Sequence, residues 1–190
     1  MRTFLALELP DSVKTRLSAT IDLLSRRTSG IRWVKPDSLH ITLKFFGEVD
    51  ESKTREILLA LNGIGDCYTA MPVKLKEFDA FPDRRHPRVL VASVHEEVDN
   101  IKTIFHDIEN RLESAGIEKE KRDFVPHITL GRVREALPVL KQHTEPLDQT
   151  LFYIDNLVLY SSTLTREGAI HEPRWEIRFK KGTINEKGRD

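Results

Sequence analysis

Hydrophobic residues recur along this chain with two periods that take turns. Residues 2–9 alternate, with Leu5, Leu7 and Leu9 on one face and Phe4, Ala6 and Glu8 on the other, which predicts a strand ended by Pro10. Val13, Leu17, Ile21 and Leu24 then recur at helical spacing behind Asp11, a capping residue, and predict a helix to residue 27 that Ser29-Gly30 closes. Residues 31–34 read as a short strand, Pro36-Asp37-Ser38 as a turn, 39–47 as a strongly periodic strand and 50–61 as a helix. Two strands at 73–81 and 88–94, joined by a polar loop with Pro82 and Pro87 at its ends, predict an antiparallel pair. A long helix over 98–114 carries Ile101, Ile104, Phe105, Ile108 and Leu112 on one face. A charged loop at 116–123, a strand within 124–133, a short helix at 136–142 and strands at 151–160 and 174–179 complete the pattern, with a disordered tail over 181–190.

Each half of this pattern contains the same four letters. His40-Ile41-Thr42-Leu43 returns as His127-Ile128-Thr129-Leu130, 87 residues later (127 − 40) and close to half of a 190-residue chain. Alternation along a strand puts Leu39, Ile41, Leu43 and Phe45 on a core face, and His40, Thr42, Lys44 and Phe46 on the other. In the second copy it buries Ile128 and Leu130 and presents His127 with Thr129. Each strand therefore offers an imidazole and a hydroxyl together, anchored from behind by aliphatic side chains.

Such a pair suits acid–base chemistry. Histidine, with an ordinary pKa of about 6.5, populates both protonation states near neutrality, so one ring can accept a proton while the other gives one. Threonine hydroxyls can donate to phosphoryl oxygens. A lone His-x-Thr in a strand is most often a half-exposed surface pair. Two copies in similar contexts, followed by Gly47 and Gly131, raise the functional reading above that.

Composition narrows the rest. Hydrophobic residues make up 39% and charged residues 32%, with 30 basic against 30 acidic side chains, as in a globular protein without the cationic surplus that coats nucleic acid nonspecifically. Cys67 is the only cysteine, which excludes an intramolecular disulfide and a Cys-rich zinc site. The apolar run at the amino terminus is cut by Glu8, Pro10 and Asp11 before it reaches signal-peptide or membrane-span length, so a cytoplasmic protein without a membrane anchor is expected.

The chain resembles the two-histidine (2H) phosphoesterases, and within them the LigT-like RNA 2′,3′-cyclic phosphodiesterases. The likeness runs through RTFLALELP, WVKPDSLHITLKFFGEV, FVPHITLGRV and LYSSTLTREG. It implies an α+β fold, bilobal, with two pseudo-twofold-related antiparallel sheets backed by helices and a central cleft, the lobes forming one domain over 1–180. It also implies hydrolysis of a terminal 2′,3′-cyclic phosphate on RNA to a 2′-phosphomonoester, with 2′–5′ ligation as the reverse reaction, and needs neither metal nor cofactor. Carried over by position, His40 is the proton donor and His127 the acceptor, while Thr42, Thr129 and Arg132 bind the phosphate. Strict alternation puts Arg132 on the core side, so it can join them only if the strand ends or bulges at Gly131.

Other side chains divide between chemistry and packing. Phe46 shares the predicted His40 face and could stack on a base or pack in the core, as could Trp33 and Tyr160; Ser162 could border the cleft. The Arg84-Arg85-His86-Pro87-Arg88 cluster reads as a solvated loop before it reads as an RNA guide. His86, His95, His106, His143 and His171 have no repeated pattern and are expected mostly at the surface. Partners are RNA ends or nucleotides with a 2′,3′-cyclic phosphate, acted on by a monomer. The competing readings are a noncatalytic nucleotide-binding module and a related enzyme for another cyclic phosphate or a 2′–5′ oligonucleotide.

Overall fold

The computed structural model describes residues 1–95, 99–134, 147, 149, 151–165 and 168–180. Among these residues the elements run β1 (Arg2–Glu8), α1 (Asp11–Ser25), β2 (Ile31–Trp33), β3 (His40–Glu48), α2 (Glu51–Ala60), β4 (Met71–Val73), β5 (Leu75–Phe81), β6 (Val89–Val94), α3 (Asp99–Ser114), β7 (His127–Val133), β8 (Phe152–Ile154), β9 (Asn156–Thr165) and β10 (Gly168–Arg178). This is the expected α+β class. Asp50 caps α2, accepting from the Lys53 amide at 2.7 Å. The expected cap Asp11 is instead the first helical residue of α1, preceded by Pro10.

The strands pair antiparallel in the order β10-β9-β1-β3-β7-β6-β5, with β2 added beside β7, and β4 pairs with β8 in a second small sheet. The large sheet has two halves that meet at one residue pair, Ile41↔Ile128. Those are the middle residues of the two His-Ile-Thr-Leu motifs, so the pseudo-twofold relation between the halves passes through the repeat itself.

One face of the sheet carries the helices. Leu5, Leu7 and Leu9 of β1, Ile41 and Leu43 of β3, and Ile128 and Leu130 of β7 join Val13, Leu17 and Ile21 of α1 and Ile101, Ile104, Ile108 and Leu112 of α3 in one buried cluster. Each such side chain contributes about 1.5–3 kcal/mol by leaving water. The opposite face carries only a small cluster of Phe4, Ala6, Val158 and Tyr160.

Two strand boundaries differ from the sequence pattern. The segment 151–160 is broken at Asp155 into β8, which leaves to pair with β4, and β9. The last strand begins at Gly168 rather than 174, because it forms a long hairpin with β9 from Gly168↔Thr165 to Arg178↔Asn156. The short helix expected at 136–142 and the tail at 181–190 lie outside the described residues.

Candidate active site

Both motif strands bulge at the same place, and the bulges decide which side chains lie on the face opposite the helices. Along β1 the pairing runs Ala6↔Thr42 and then Leu5↔Lys44, leaving Leu43 as an extra residue, and Phe4↔Phe45 is followed by Thr3↔Gly47, leaving Phe46 extra. Along β6 the pairing runs Val91↔Thr129 and then Leu90↔Gly131, leaving Leu130 extra. In each copy the leucine after the threonine and the residue after it both point to the core, and the following residue returns to the open face. Lys44 therefore corresponds to Gly131, and Phe45 to Arg132.

This corrects the strict alternation expected for the first motif. Phe45 is 65% exposed on the open face and packs its ring 5.7 Å from that of Phe4, whereas Phe46, expected beside His40, packs against the core. Lys44, expected on the open face, is buried: its Nζ donates to Glu109 Oε1 at 2.7 Å, to Oε2 at 3.0 Å and to the Glu118 carbonyl at 2.9 Å. Arg132 meets the bulge condition and lies on the face of His127 and Thr129. Gly131 is required there because a Cβ would stand 2.8 Å from Ile31 Cγ2 and 3.0 Å from Trp33 Cε3. Trp33 is thus a packing residue, the second of its two readings.

The antiparallel pair Ile41↔Ile128 sets His40 beside Thr129 and Thr42 beside His127, so the strands bring all four predicted side chains to one place. The His40 ring has Nε2 3.0 Å from Thr42 Oγ1 and also bonds the Ser38 backbone. His127 Nδ1 lies 2.8 Å from the Val125 carbonyl, which leaves its Nε2 for other partners. Each ring is thus bonded to the backbone two residues before it. Each also packs on a phenylalanine: Phe4 stacks on His40 at 4.9 Å, and Phe81 meets His127 edge-on at 4.9 Å.

Both imidazoles are held toward the neutral form. Burial, with lesser help from the charges of His171 and His127, pushes His40 down to about 3. Burial also lowers His127; its bond to Val125 works against this, and the charge of Arg132 works with it. Next to His40, its cross-strand neighbour Glu8 accepts from Lys14 Nζ at 3.1 Å and from Asn156 Nδ2 at 3.0 Å, and Asn156 also reaches Glu176 at 3.0 Å. Burial pushes the Glu8 carboxyl up, but the bonds from Asn156 and Lys14 outweigh it and leave it below the ordinary range. Burial and the Glu8 carboxylate raise the Tyr160 hydroxyl.

His171 departs from its expected place at the surface. It lies on β10 opposite Ser162, and its ring meets Phe4 edge-on at 4.9 Å and His40 at 5.5 Å. The sequence pattern misses it because the alternation that marks the last strand begins only at residue 174, so nothing gives the face of residue 171. Ser162 and Tyr160 lie on the same open face, as the pairs Arg2↔Ser162 and Phe4↔Tyr160 require. His86 and His106 are exposed, His95 is half-buried, and His143 lies outside the described residues. The basic loop behaves as a solvated turn, with Arg84 tied to Glu77 at 2.7 Å and to Asp79 at 3.0 Å. Among the described residues, no group of three or more His, Cys, Asp or Glu side chains could hold a metal ion. No helix among them is long and apolar enough to cross a membrane.

Two facing His-x-Thr strands on a duplicated α+β scaffold define a two-histidine phosphoesterase, and the LigT-like phosphoesterase family model matches residues 7–91 and 93–171; the chain belongs to that family. It is 34% identical over 186 residues to an RNA 2′,3′-cyclic phosphodiesterase of Thermotoga maritima, covering 97% of this chain and 98% of the relative. A Methanocaldococcus jannaschii protein of the same name is 35% identical over 177 residues, covering 90% and 97%. Among solved structures, a Thermus thermophilus protein superposes with a TM-score of 0.79 at 25% identity, covering 95% of this chain and 99% of that one. Escherichia coli LigT complexed with 3′-AMP superposes with a TM-score of 0.74 at 21% identity, covering 95% and 98%, and so shares the fold.

Proposed function

We propose that this chain is an RNA 2′,3′-cyclic phosphodiesterase that opens a terminal cyclic phosphate to a 2′-phosphomonoester. The observation that carries the reading is the Ile41↔Ile128 pair, which puts two backbone-anchored imidazoles and two threonines side by side on one face of the sheet. The names of the full-length relatives supply the substrate class.

In this mechanism the cyclic phosphate lies between the histidines, with its nonbridging oxygens toward Thr42, Thr129 and Arg132. His127 takes a proton from a water as that water forms its bond to phosphorus. The bond from phosphorus to the ribose 3′-oxygen breaks in line with the attack, and His40 gives its proton to that oxygen. Hydroxyl and guanidinium donors meet the charge that develops on the phosphoryl oxygens. A His40 with a depressed pKa is a strong proton donor but rarely charged in the empty site; the incoming phosphodiester anion favours its protonated form. Phe45 occupies the slot in the first lobe that Arg132 fills in the second, and offers an exposed ring to the nucleoside. With a 5′-hydroxyl in place of water as the nucleophile, the same steps form a bond from that oxygen to phosphorus, break the bond to the 3′-oxygen and leave a 2′–5′ linkage; the abundance of water favours hydrolysis. The two halves act as one bilobal domain over 1–180, as a monomer in the cytoplasm.

The deciding experiment incubates the protein, in excess EDTA, with a short RNA ending in a 2′,3′-cyclic phosphate and reads the product by phosphorus NMR. A 2′-phosphate is expected, and His40→Ala and His127→Ala should each lower kcat by at least about 10²–10⁴-fold, the usual contribution of a positioned acid or base. Turnover by either variant at the wild-type rate, or a 3′-phosphate product, would overturn the assignment.

A further inference from the structure

Beyond the residues assigned to the reacting phosphate, the open face carries a row of side chains that the mechanism does not use. Arg2, Ser162 and His171 are cross-strand partners on β1, β9 and β10, so they stand side by side on the face that holds His40. All three can donate a hydrogen bond, and Arg2 carries a positive charge. Among the described residues none of the three side chains has a hydrogen-bond or ion-pair partner, and His171 Nδ1 is buried without one. Glu48, the cross-strand partner of Arg2 on β3, is an acidic group on this face beside the row, and it is exposed.

The row is coupled to the reaction centre through His171. In a flat sheet β10 would lie three strand spacings from β3, or roughly 14 Å at about 4.8 Å each. The rings of His171 and His40 are nevertheless only 5.5 Å apart, so the sheet curls and the side chains lean together over Phe4. Between the row and His40 lies an aromatic floor, where Phe4 is flanked by Phe45 at 5.7 Å and Tyr160 at 5.2 Å. A nucleoside resting on that floor, with its cyclic phosphate at His40, would direct its 5′-oxygen toward unused donors.

We propose that Arg2, Ser162 and His171 form a second anion subsite for the phosphodiester on the 5′ side of the terminal nucleotide. The site thereby selects the end of an RNA strand over a free cyclic mononucleotide. This inference rests on the cyclic phosphate lying between His40 and His127. A cation beside two side chains that can each donate suits a phosphodiester anion, whose oxygens only accept.

The test compares adenosine 2′,3′-cyclic phosphate bearing a 5′-methyl phosphate with the same nucleotide bearing a 5′-hydroxyl, by turnover and, at low temperature with His127→Ala, by calorimetric binding. The 5′-methyl phosphate should raise both kcat/KM and affinity at least tenfold, and the advantage should shrink as salt rises. Arg2→Gln and His171→Phe should each bring the ratio between the two ligands toward one; Arg2 is exposed, so its variant probes the subsite without disturbing the core. Equal values for the two ligands in the unaltered protein, or variants that lower both alike, would overturn the subsite. Absence of turnover with either ligand would instead count against the proposed reaction, and the binding ratio would still decide the subsite.

Discussion

Changing Lys44 to Met removes the charge beneath the first motif while leaving an unbranched side chain in the same slot. Glu109, 3% exposed, would lose the ammonium that meets both of its oxygens and keep only the Glu120 amide, at 2.6 Å. The Glu118 carbonyl would lose its donor as well. Removing one member of a buried pair costs about 3–5 kcal/mol, because the remaining charge is uncompensated. At about 2–4 °C per kcal/mol for a chain of this size, the melting temperature should fall by roughly 6–20 °C. The urea midpoint should fall with it at an unchanged slope. The double variant Lys44→Met, Glu109→Leu leaves no buried charge, and apolar replacement of a buried pair is often neutral or stabilising. It should recover most of the loss, short of about 1–3 kcal/mol for the Glu118 carbonyl and Glu120 amide left without partners. A single variant within about 1 kcal/mol of the unaltered protein, or a double variant as unstable as the two single changes summed, would refute the reasoning.

The pH dependences follow from the same burial. For kcat/KM, which reports the free enzyme, the proposed mechanism requires His40 protonated and His127 neutral; with His40 held near 3 and His127 below its ordinary value, the bell should peak on the acid side of 6.5. A peak at pH 8 or above would contradict that assignment. Stability moves the other way with acid: the native state binds the His40 proton less readily than the unfolded chain, so stability present above pH 6.5 drains as pH falls toward 3. At about 1.4 kcal/mol per unit, His40 alone should account for roughly 3 kcal/mol between pH 6.5 and 4, and urea midpoints of His40→Gln should lose that much of their acid slope. Gly131→Ala should cost about 1–3 kcal/mol by overpacking against Ile31 and Trp33, read by calorimetry, and lower kcat/KM by displacing Arg132.

Much of this was legible in the letters. Alternation in β1 gave both of its faces correctly, because the strand itself carries no extra residue and Arg2 to Leu7 are paired on both sides. The helical stripes of α1 and α3 gave the buried residues because long amphipathic helices must spend one face on the core. The pairing of His40 and His127 was legible from repetition alone. Phe45, Phe46 and Lys44 were placed on the wrong faces because period-two counting has no term for an extra residue, and a bulge inside an ungapped hydrophobic run leaves no letter behind. The second copy did leave one, since Gly131 sits inside its bulge. His171 was hidden for a different reason: its contact with His40 depends on the curl of strands far apart in sequence, which local patterning cannot register.

The single pair Ile41↔Ile128 that joins the halves of the sheet acts as a fulcrum. When two bodies tilt about a narrow seam, displacement grows with the length of the lever arm, so atoms at the seam move least and atoms at the rims move most. The imidazoles and hydroxyls are carried by the residues on either side of that pair. A small change of angle between the halves would therefore displace the proposed acid, base and phosphate contacts less than the outer strands, such as the hairpin of β9 and β10.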